Sequence, residues 1–233
     1  FAQGLSGFAF GFVAMSFWAW VLDPKLAAAL SVIGGLTGQI VAAFTVRRGF
    51  NWKMLAPFIA GGLLGIPIGV WLLPMLDIYK FKAVLGTFLI LWCPAMLLAK
   101  NFPTIKIQNR FIDAIVGLAG GIMGGIGGFT GTIPTLWCTL RGLDRDTQRS
   151  IIQNFNFALL VVIAITYTST GIIHKEIWPF MLIVSPIVVV TAFIGTRLYL
   201  GISPERFRQI VLSFLIVSGI SMLSSALPHL NLW

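Results

Sequence analysis

Residues 114–140, AIVGLAGGIMGGIGGFTGTIPTLWCTL, form a stretch without a single charged side chain. A helix needs about 20 mostly apolar residues to cross the hydrocarbon core of a bilayer, so this stretch is long enough to enter one. It also places seven glycines within the twelve residues 120–131. Each glycine costs a helix about 1 kcal/mol relative to alanine. We therefore predict a membrane segment here in which a continuous helix does not form.

The remainder of the chain has the same character. Its 233 residues are 58% hydrophobic and only 10% charged, with a mean hydropathy of +0.94, whereas soluble domains carry about 25% charge. The charged residues bound eight apolar stretches of about membrane length: 1–22, 26–46, 54–76, 83–99, 114–140, 150–173, 177–196 and 209–233. The predicted fold class is therefore all-α, a polytopic helical membrane protein.

Two halves of the chain share landmarks. Glycines recur at a constant offset of 120, from Gly4, Gly7 and Gly11 to Gly124, Gly127 and Gly131. Each cluster precedes an apolar run and then a short polar turn, at 23–25 and at 144–146. We predict two repeats of four apolar segments each, residues 1–99 and 111–233, joined by a polar linker at 100–110.

The basic residues predict how these repeats cross the membrane. If all eight stretches cross, the 16 basic residues divide seven to nine between the two sides. If the glycine-rich stretch of each repeat enters and returns on one side, they divide twelve to four, and the four are Lys25, Lys80, Lys82 and Lys175. The second division is the positive-inside asymmetry of a bacterial-type inner-membrane protein. It predicts re-entrant segments, three spanning helices per repeat and therefore inverted repeats. The net charge of +9 is then explained by the orientation in which the chain inserts into the membrane, and it does not indicate nucleic-acid binding.

The glycine run leads into a helix start. Thr130 and Thr132 precede Pro134, and a hydroxyl cap followed by proline is typical of a helix N-terminus. A half-helix that begins near mid-membrane presents free N–H groups, which suit an anion. We predict an anion site between the two glycine-rich turns, formed by Ser6, Gly7 and Gly11 with Gly127, Gly128, Thr130, Gly131 and Thr132.

A few other polar residues belong to the same hypothesis. Gln39, Asn154 and Asn156 lie inside apolar stretches, where amides serve either as interhelical hydrogen bonds or as ligand contacts. Arg145 and Arg149 lie at the mouth of the sixth stretch, where they either guide an anion inward or simply set topology.

Other patterns have simpler interpretations. Gly61, Gly65 and Gly69 are spaced by four and predict close helix packing. The acidic residues lie in loops or, for Asp113, at the entrance of the fifth stretch, so coupling through a membrane-embedded carboxylate is disfavoured. The deep positions offer no metal-ligand cluster, and we expect neither a metal nor another cofactor.

The chain resembles the TauE/SafE sulfite exporter family. The resemblance rests on Gly124-Gly125-Ile126-Gly127-Gly128, on Thr132-Ile133-Pro134 and on the following Arg141-Gly142-Leu143. It implies transport of sulfur-containing anions such as sulfite, thiosulfate or sulfonates, often as export. The first repeat departs from the pattern, with Phe8 and Ala9 where more glycine is expected and no proline equivalent to Pro134.

Alternative functions are a transporter of another small solute or inorganic ion and, more remotely, an intramembrane serine protease. The latter rests on Gly4-Leu5-Ser6-Gly7, but a serine nucleophile needs a nearby base, and His174 and His229 lie near the ends of apolar stretches. We therefore expect a transporter and no enzyme. Its expected partners are a small anionic substrate and membrane lipid, without nucleic acid, and a homo-oligomer is left open.

Overall fold

The computed structural model describes residues 10–45, 49–99, 104–105, 109–197 and 204–230. All regular structure in these ranges is helical. The α-helices are α1 (Phe10–Val21), α2 (Pro24–Thr45), α3 (Trp52–Leu72), α4 (Ile78–Leu98), α5 (Arg110–Gly127), α6 (Thr132–Leu140), α7 (Arg145–Ser169), α8 (Trp178–Arg197) and α9 (Pro204–Ala226). Three short 3-10 turns, at Leu73–Met75, Lys175–Ile177 and Leu227–His229, lie at helix ends.

Seven helices in the described ranges, α2 to α5 and α7 to α9, are long and apolar enough to span a membrane. On α3, Trp52 and Trp71 are both exposed and lie 19 residues apart, which is about 28 Å along a helix. That separation matches the roughly 30 Å of a hydrocarbon core, whose two interfaces favour tryptophan. The all-helical, polytopic fold class predicted from the sequence is confirmed.

Side-chain capping fixes where several of these helices begin. Asp77 accepts hydrogen bonds from the amides of Tyr79 and Lys80 before α4, and Asp144 does so from Asp146 and Thr147 before α7. Asn51 and Asn109 cap α3 and α5 in the same way. Because Ser, Asp and Asn satisfy otherwise free amides at this position, the polar residues between apolar runs set the helix boundaries.

Contacts between loops define two ends of the bundle. At one end, which we call the basic end, the Gly49 carbonyl accepts hydrogen bonds from Ser150 and Asn154, and the Ile105 amide donates to the Leu140 carbonyl. At the other, the opposite end, the rings of Tyr79 and His229 stack at 4.0 Å. These contacts group the loops near 49, 105, 140 and 150 together, as the twelve-to-four charge division predicts.

The closest helix pair is α3 with α5. A Cβ added at Gly61 or Gly65 would overlap the backbone carbonyl of Ala114 or Leu118 on α5. A Cβ added at Gly117 or Gly121 would overlap the carbonyl of Phe58 or Gly62 on α3. The two backbones therefore touch through small residues on both helices, and the packing role predicted for Gly61, Gly65 and Gly69 is confirmed.

The same packing corrects the prediction that no continuous helix forms in the glycine run. Helix α5 continues through Gly127, and the break comes only at Gly128, which adopts φ 80°. The helix tolerates its glycines because Gly117, Gly121 and Gly125 meet α3, while Gly120 and Gly124 face the returning chain. Lost helix propensity is offset by backbone-to-backbone packing.

After the break the chain turns back beside α5. The Thr130 carbonyl lies 2.7 Å from the position of a Cβ on Gly120, so α6 begins beside the middle of α5. Helix α6 then ends where α5 begins, because Arg141 and Trp137 both bind Asp113. The second half of the chain thus contains the predicted re-entrant hairpin. The matching residues of the first half, 1–9, lie outside the described ranges, and the division into two inverted repeats stays a prediction.

Candidate functional site

The candidate site surrounds residues 128–131, which we call the turn segment. Two hydrogen bonds from other helices hold the backbone on either side of it. The Tyr167 hydroxyl donates to the Gly125 carbonyl at 2.7 Å, and Trp92 Nε1 donates to the Thr132 carbonyl at 3.0 Å. Helices α7 and α4 therefore fix the end of α5 and the start of α6 in place.

The two halves of the chain meet at this turn. A Cβ on Gly11, in α1, would lie 3.5 Å from the Gly128 carbonyl and 3.1 Å from Ser31 Oγ. A Cβ on Gly128 would also lie 3.1 Å from Ser31 Oγ. The Ser31 hydroxyl thus lies between the two glycines, where a larger residue at either position would crowd it. Gly11 thus lies beside Gly128, while the anion site predicted between the two glycine-rich turns stays a prediction.

An aromatic wall closes one side of the turn segment. The Phe12 and Phe129 rings stack with centroids 4.9 Å apart, and Phe12 and Trp92 stack at 5.0 Å. Phe12, Trp92 and Phe129 are all buried. Water is therefore excluded from this side, which strengthens any electrostatic interaction formed at the turn.

The predicted hydroxyl cap of α6 is absent. The N-cap residue is Gly131, which provides no side-chain cap, and the Thr132 hydroxyl donates backwards to the Phe129 carbonyl at 2.9 Å. The Thr130 hydroxyl donates to Asn156 Oδ1 at 2.8 Å. Both threonine protons are used inside the protein, because a buried hydroxyl that lacks an acceptor costs free energy. The helix start itself lies at Thr132, as predicted.

Several donors at the turn segment have no protein acceptor. The backbone amides of Thr130, Gly131 and Ile133 donate to no acceptor within the described ranges. Asn156 Oδ1 already accepts from the Thr130 hydroxyl, which leaves Asn156 Nδ2 as a donor beside the turn segment. A Cβ on Gly131 would lie 2.6 Å from this Nδ2 atom. Amide donors that converge at a helix N-terminus form an arrangement suited to an anion.

Ser31 Oγ adds to this group. Among the described residues, the fully buried side-chain oxygen or nitrogen atoms without a hydrogen-bond partner are Ser31 Oγ and Gln153 Oε1. Ser31 is 1% exposed, and buried polar groups are normally paired. The unpaired hydroxyl between Gly11 and Gly128 makes Ser31 a candidate for ligand contact. Sequence analysis missed Ser31, because one serine in an apolar helix carries no distinguishing pattern.

Other predicted residues lie away from the turn. The Asn154 amide donates to the carbonyls of Gly49 and Ser150 at the basic end, so it ties helix to loop and is not brought to the site. Gln39 is buried in α2, eight residues beyond Ser31, or about 12 Å along the helix. Arg145 and Arg149 are exposed at the start of α7. Ser6 and Gly7 lie outside the described residues.

A buried ion pair closes the hairpin at the basic end. Asp113 accepts from Trp137 Nε1 at 2.7 Å and from Arg141 Nη1 at 3.0 Å, with both charged side chains less than a tenth exposed. The sequence analysis placed Asp113 at the entrance of the fifth apolar stretch, and the structure buries it one turn inside α5. The pairing explains how the chain tolerates a carboxylate there, since burial of a lone charge is costly.

These features define a polytopic helical membrane protein with a re-entrant hairpin and a donor-rich turn among its helices. The described residues contain no group of three or more metal-binding side chains. The family model for sulfite exporter TauE/SafE matches residues 1–222, so the chain belongs to that family. No curated protein and no solved structure gives a significant match.

The family assignment establishes a multi-pass membrane transporter of the sulfite exporter or permease type. It also decides against the intramembrane protease, because TauE/SafE is a transporter family and not an enzyme family. His174 lies between α7 and α8, and His229 ends the 3-10 turn Leu227–His229 that follows α9.

Proposed function

We propose that this chain exports small sulfur-containing oxyanions, namely sulfite, thiosulfate or sulfonates, across a bacterial-type inner membrane. The anion binds at the turn segment, between Gly11, Ser31 and the N-terminus of α6. The observation that carries the proposal is a set of donors around the turn segment that have no acceptor within the described ranges: Ser31 Oγ, Asn156 Nδ2 and the amides of Thr130, Gly131 and Ile133.

The chemistry of the site favours an oxyanion over a cation. The nearest named groups are hydroxyls, amides and aromatic rings, whereas cation sites use carboxylates or clusters of His, Cys and Met. Hydrogen bonds from neutral donors to a charged oxygen are stronger than those between neutral groups, by roughly twofold. A site without a fixed positive charge also holds the anion weakly enough to release it, which transport requires.

The glycines fit this use. Gly11 and Gly128 carry no side chain, so a ligand oxygen can approach Ser31 and the backbone from both halves of the chain. A rotation of one half against the other would open the site alternately to each face, as in transporters built from inverted repeats. The close approach of Gly11 to the Gly128 carbonyl supports this proposed arrangement.

Replacement of Ser31 by alanine tests the site. Ser31→Ala removes a donor that makes no protein hydrogen bond, so thermal stability without ligand is expected to change little. Loss of one hydrogen bond to a charged group lowers affinity by about tenfold or more. We expect weaker binding of sulfite or thiosulfate by titration calorimetry of the purified protein.

Ser16→Ala is the matched control, since Ser16 is a buried serine on α1 whose hydroxyl donates to the Val13 carbonyl within its own helix. Its anion affinity is expected to stay within about twofold of wild type. Equal affinity in Ser31→Ala and wild type would remove Ser31 from the site, and absence of anion binding in wild type would reject the proposed function.

A further inference from the structure

Lys82 is a buried cation that pairs with no acidic side chain in the described part of the chain. It lies one turn inside α4 and is 7% exposed. Its ammonium group lies 4.4 Å from the centre of the Trp20 ring and 6.0 Å from that of Tyr79. It forms no hydrogen bond or ion pair with any residue in the described ranges. The nearby carboxylate of Asp77 is engaged by Lys80 at 2.9 Å.

Such a charge is costly unless something compensates for it. A cation–π contact is weaker than the penalty for burying an unpaired charge. The aromatic rings therefore stabilise the Lys82 ammonium only in part. An anion beside Lys82 would supply the missing compensation.

Lys82 is also aligned with the candidate site. The buried face of α4 runs from Lys82 through Leu85 and Leu89 to Trp92, which binds the start of α6. These ten residues span about 15 Å. Trp20 lies nine residues from Gly11 on α1, or about 14 Å. Helices α1 and α4, which border the turn segment, therefore both reach the Lys82–Trp20 pair. Helix α1 ends near this pair, and α4 begins near it.

The basic end offers a comparison. Arg141 follows α6 directly and lies 5.9 Å from the Trp137 ring, as Lys82 lies near Trp20 at the end of α1. Helices α1 and α6 thus each end beside a buried cation and a tryptophan. Asp113 neutralises Arg141, whereas no carboxylate within the described ranges pairs with Lys82.

We propose that Lys82, which lies over the Trp20 ring, forms a second binding site for the transported sulfur oxyanion at the opposite end of the bundle. We call this site the station. The station holds the anion between the turn segment and the solution on that side. This inference rests on the proposed function. In the sequence analysis, Lys82 was counted only among the basic residues that set the membrane topology.

The test uses sulfite flux into proteoliposomes of defined orientation, with wild type, Lys82→Gln, Lys82→Arg and Lys80→Gln. Lys80 is the matched control, because it lies two residues away, is 57% exposed and pairs with Asp77. We expect Lys82→Gln to raise KM about tenfold when sulfite is applied at the opposite end, since one charged hydrogen bond is lost. KM at the basic end should change less than twofold, and Lys82→Arg should largely restore wild-type behaviour.

The outcomes separate this inference from the proposed function. Sulfite flux in wild type with an unchanged KM in Lys82→Gln would overturn the station alone, as would an equal change in Lys80→Gln. Absence of sulfite, thiosulfate and sulfonate flux in wild type would overturn both. Each measurement is repeated in purely zwitterionic lipid, because an effect of Lys82→Gln seen only with anionic lipid would assign Lys82 to a lipid headgroup and reject the station.

Discussion

Gly128 is the residue at which α5 stops and the chain turns back. Its φ of 80° lies in the left-handed region, which other residues occupy only at a cost of about 1 kcal/mol or more. The sequence predicted a break within residues 120–131 but could not identify its position, because seven glycines there have equal intrinsic freedom. Tertiary contacts decide: the earlier glycines are held helical by α3 and by the returning chain.

Gly128→Ala should impair transport as well as stability. The added methyl group is strained and lies 3.1 Å from Ser31 Oγ, so we expect a lower melting temperature and at least a tenfold loss of anion affinity. Gly171→Ala is the control, since Gly171 has φ 75° with nothing within 4 Å of its Cβ position. It should lower the melting temperature similarly and leave affinity unchanged. Equal affinity losses in both variants would contradict the account.

At the scale of elements, the hairpin of α5 and α6 combines predicted and unpredicted features. The helix start near Pro134 was visible in the sequence, because proline and glycine act on the local backbone. The Thr130–Asn156 and Trp137–Asp113 hydrogen bonds join residues 26 and 24 positions apart. No local pattern encodes such pairs, so the sequence placed Asp113 only at the entrance of an apolar stretch and did not predict that Thr130 donates to Asn156.

The glycine interface between α3 and α5 can be tested directly. In Gly65→Ala, the added methyl group overlaps the Leu118 carbonyl, so the two helices must separate. We expect destabilisation of about 1–3 kcal/mol, the usual cost of overpacking, measured by thermal unfolding in detergent. Gly35→Ala is the control, because its Cβ would meet Leu160 at 3.4 Å, an ordinary contact. A melting temperature for Gly65→Ala equal to that of the control would disprove backbone-to-backbone packing.

At the scale of the whole molecule, charge placement predicted more than composition did. Among the described residues, one end of the bundle holds Lys53, Arg110, Arg141, Arg145 and Arg149, in agreement with the twelve-to-four division. This agreement is expected because the positive-inside bias depends on the charges of the loops and not on how the helices pack. Helix partners were not predictable in the same way, since lipid-facing and protein-facing apolar residues have similar composition.

The pattern of helix packing is consistent with two related halves. Helix α2 packs against α8, and α7 packs against α3. If α2 is equivalent to α7 and α3 is equivalent to α8, then the α2–α8 contact of one unit is equivalent to the α7–α3 contact of the other. The Asp23 and Asp144 side chains, 121 positions apart, both accept hydrogen bonds from amides at the start of the following helix. The division into repeats at 1–99 and 111–233 itself stays a prediction.

The most direct test of the central claim is flux of sulfur anions in proteoliposomes made with the purified chain. Sulfite, thiosulfate, a small sulfonate, a neutral solute and a metal cation would be compared, each with and without a pH gradient. The account predicts protein-dependent movement of at least one sulfur anion, reduced about tenfold in the Ser31→Ala variant under subsaturating conditions. Movement of the neutral solute or the cation alone, with the sulfur anions at the rate of empty liposomes, would contradict it.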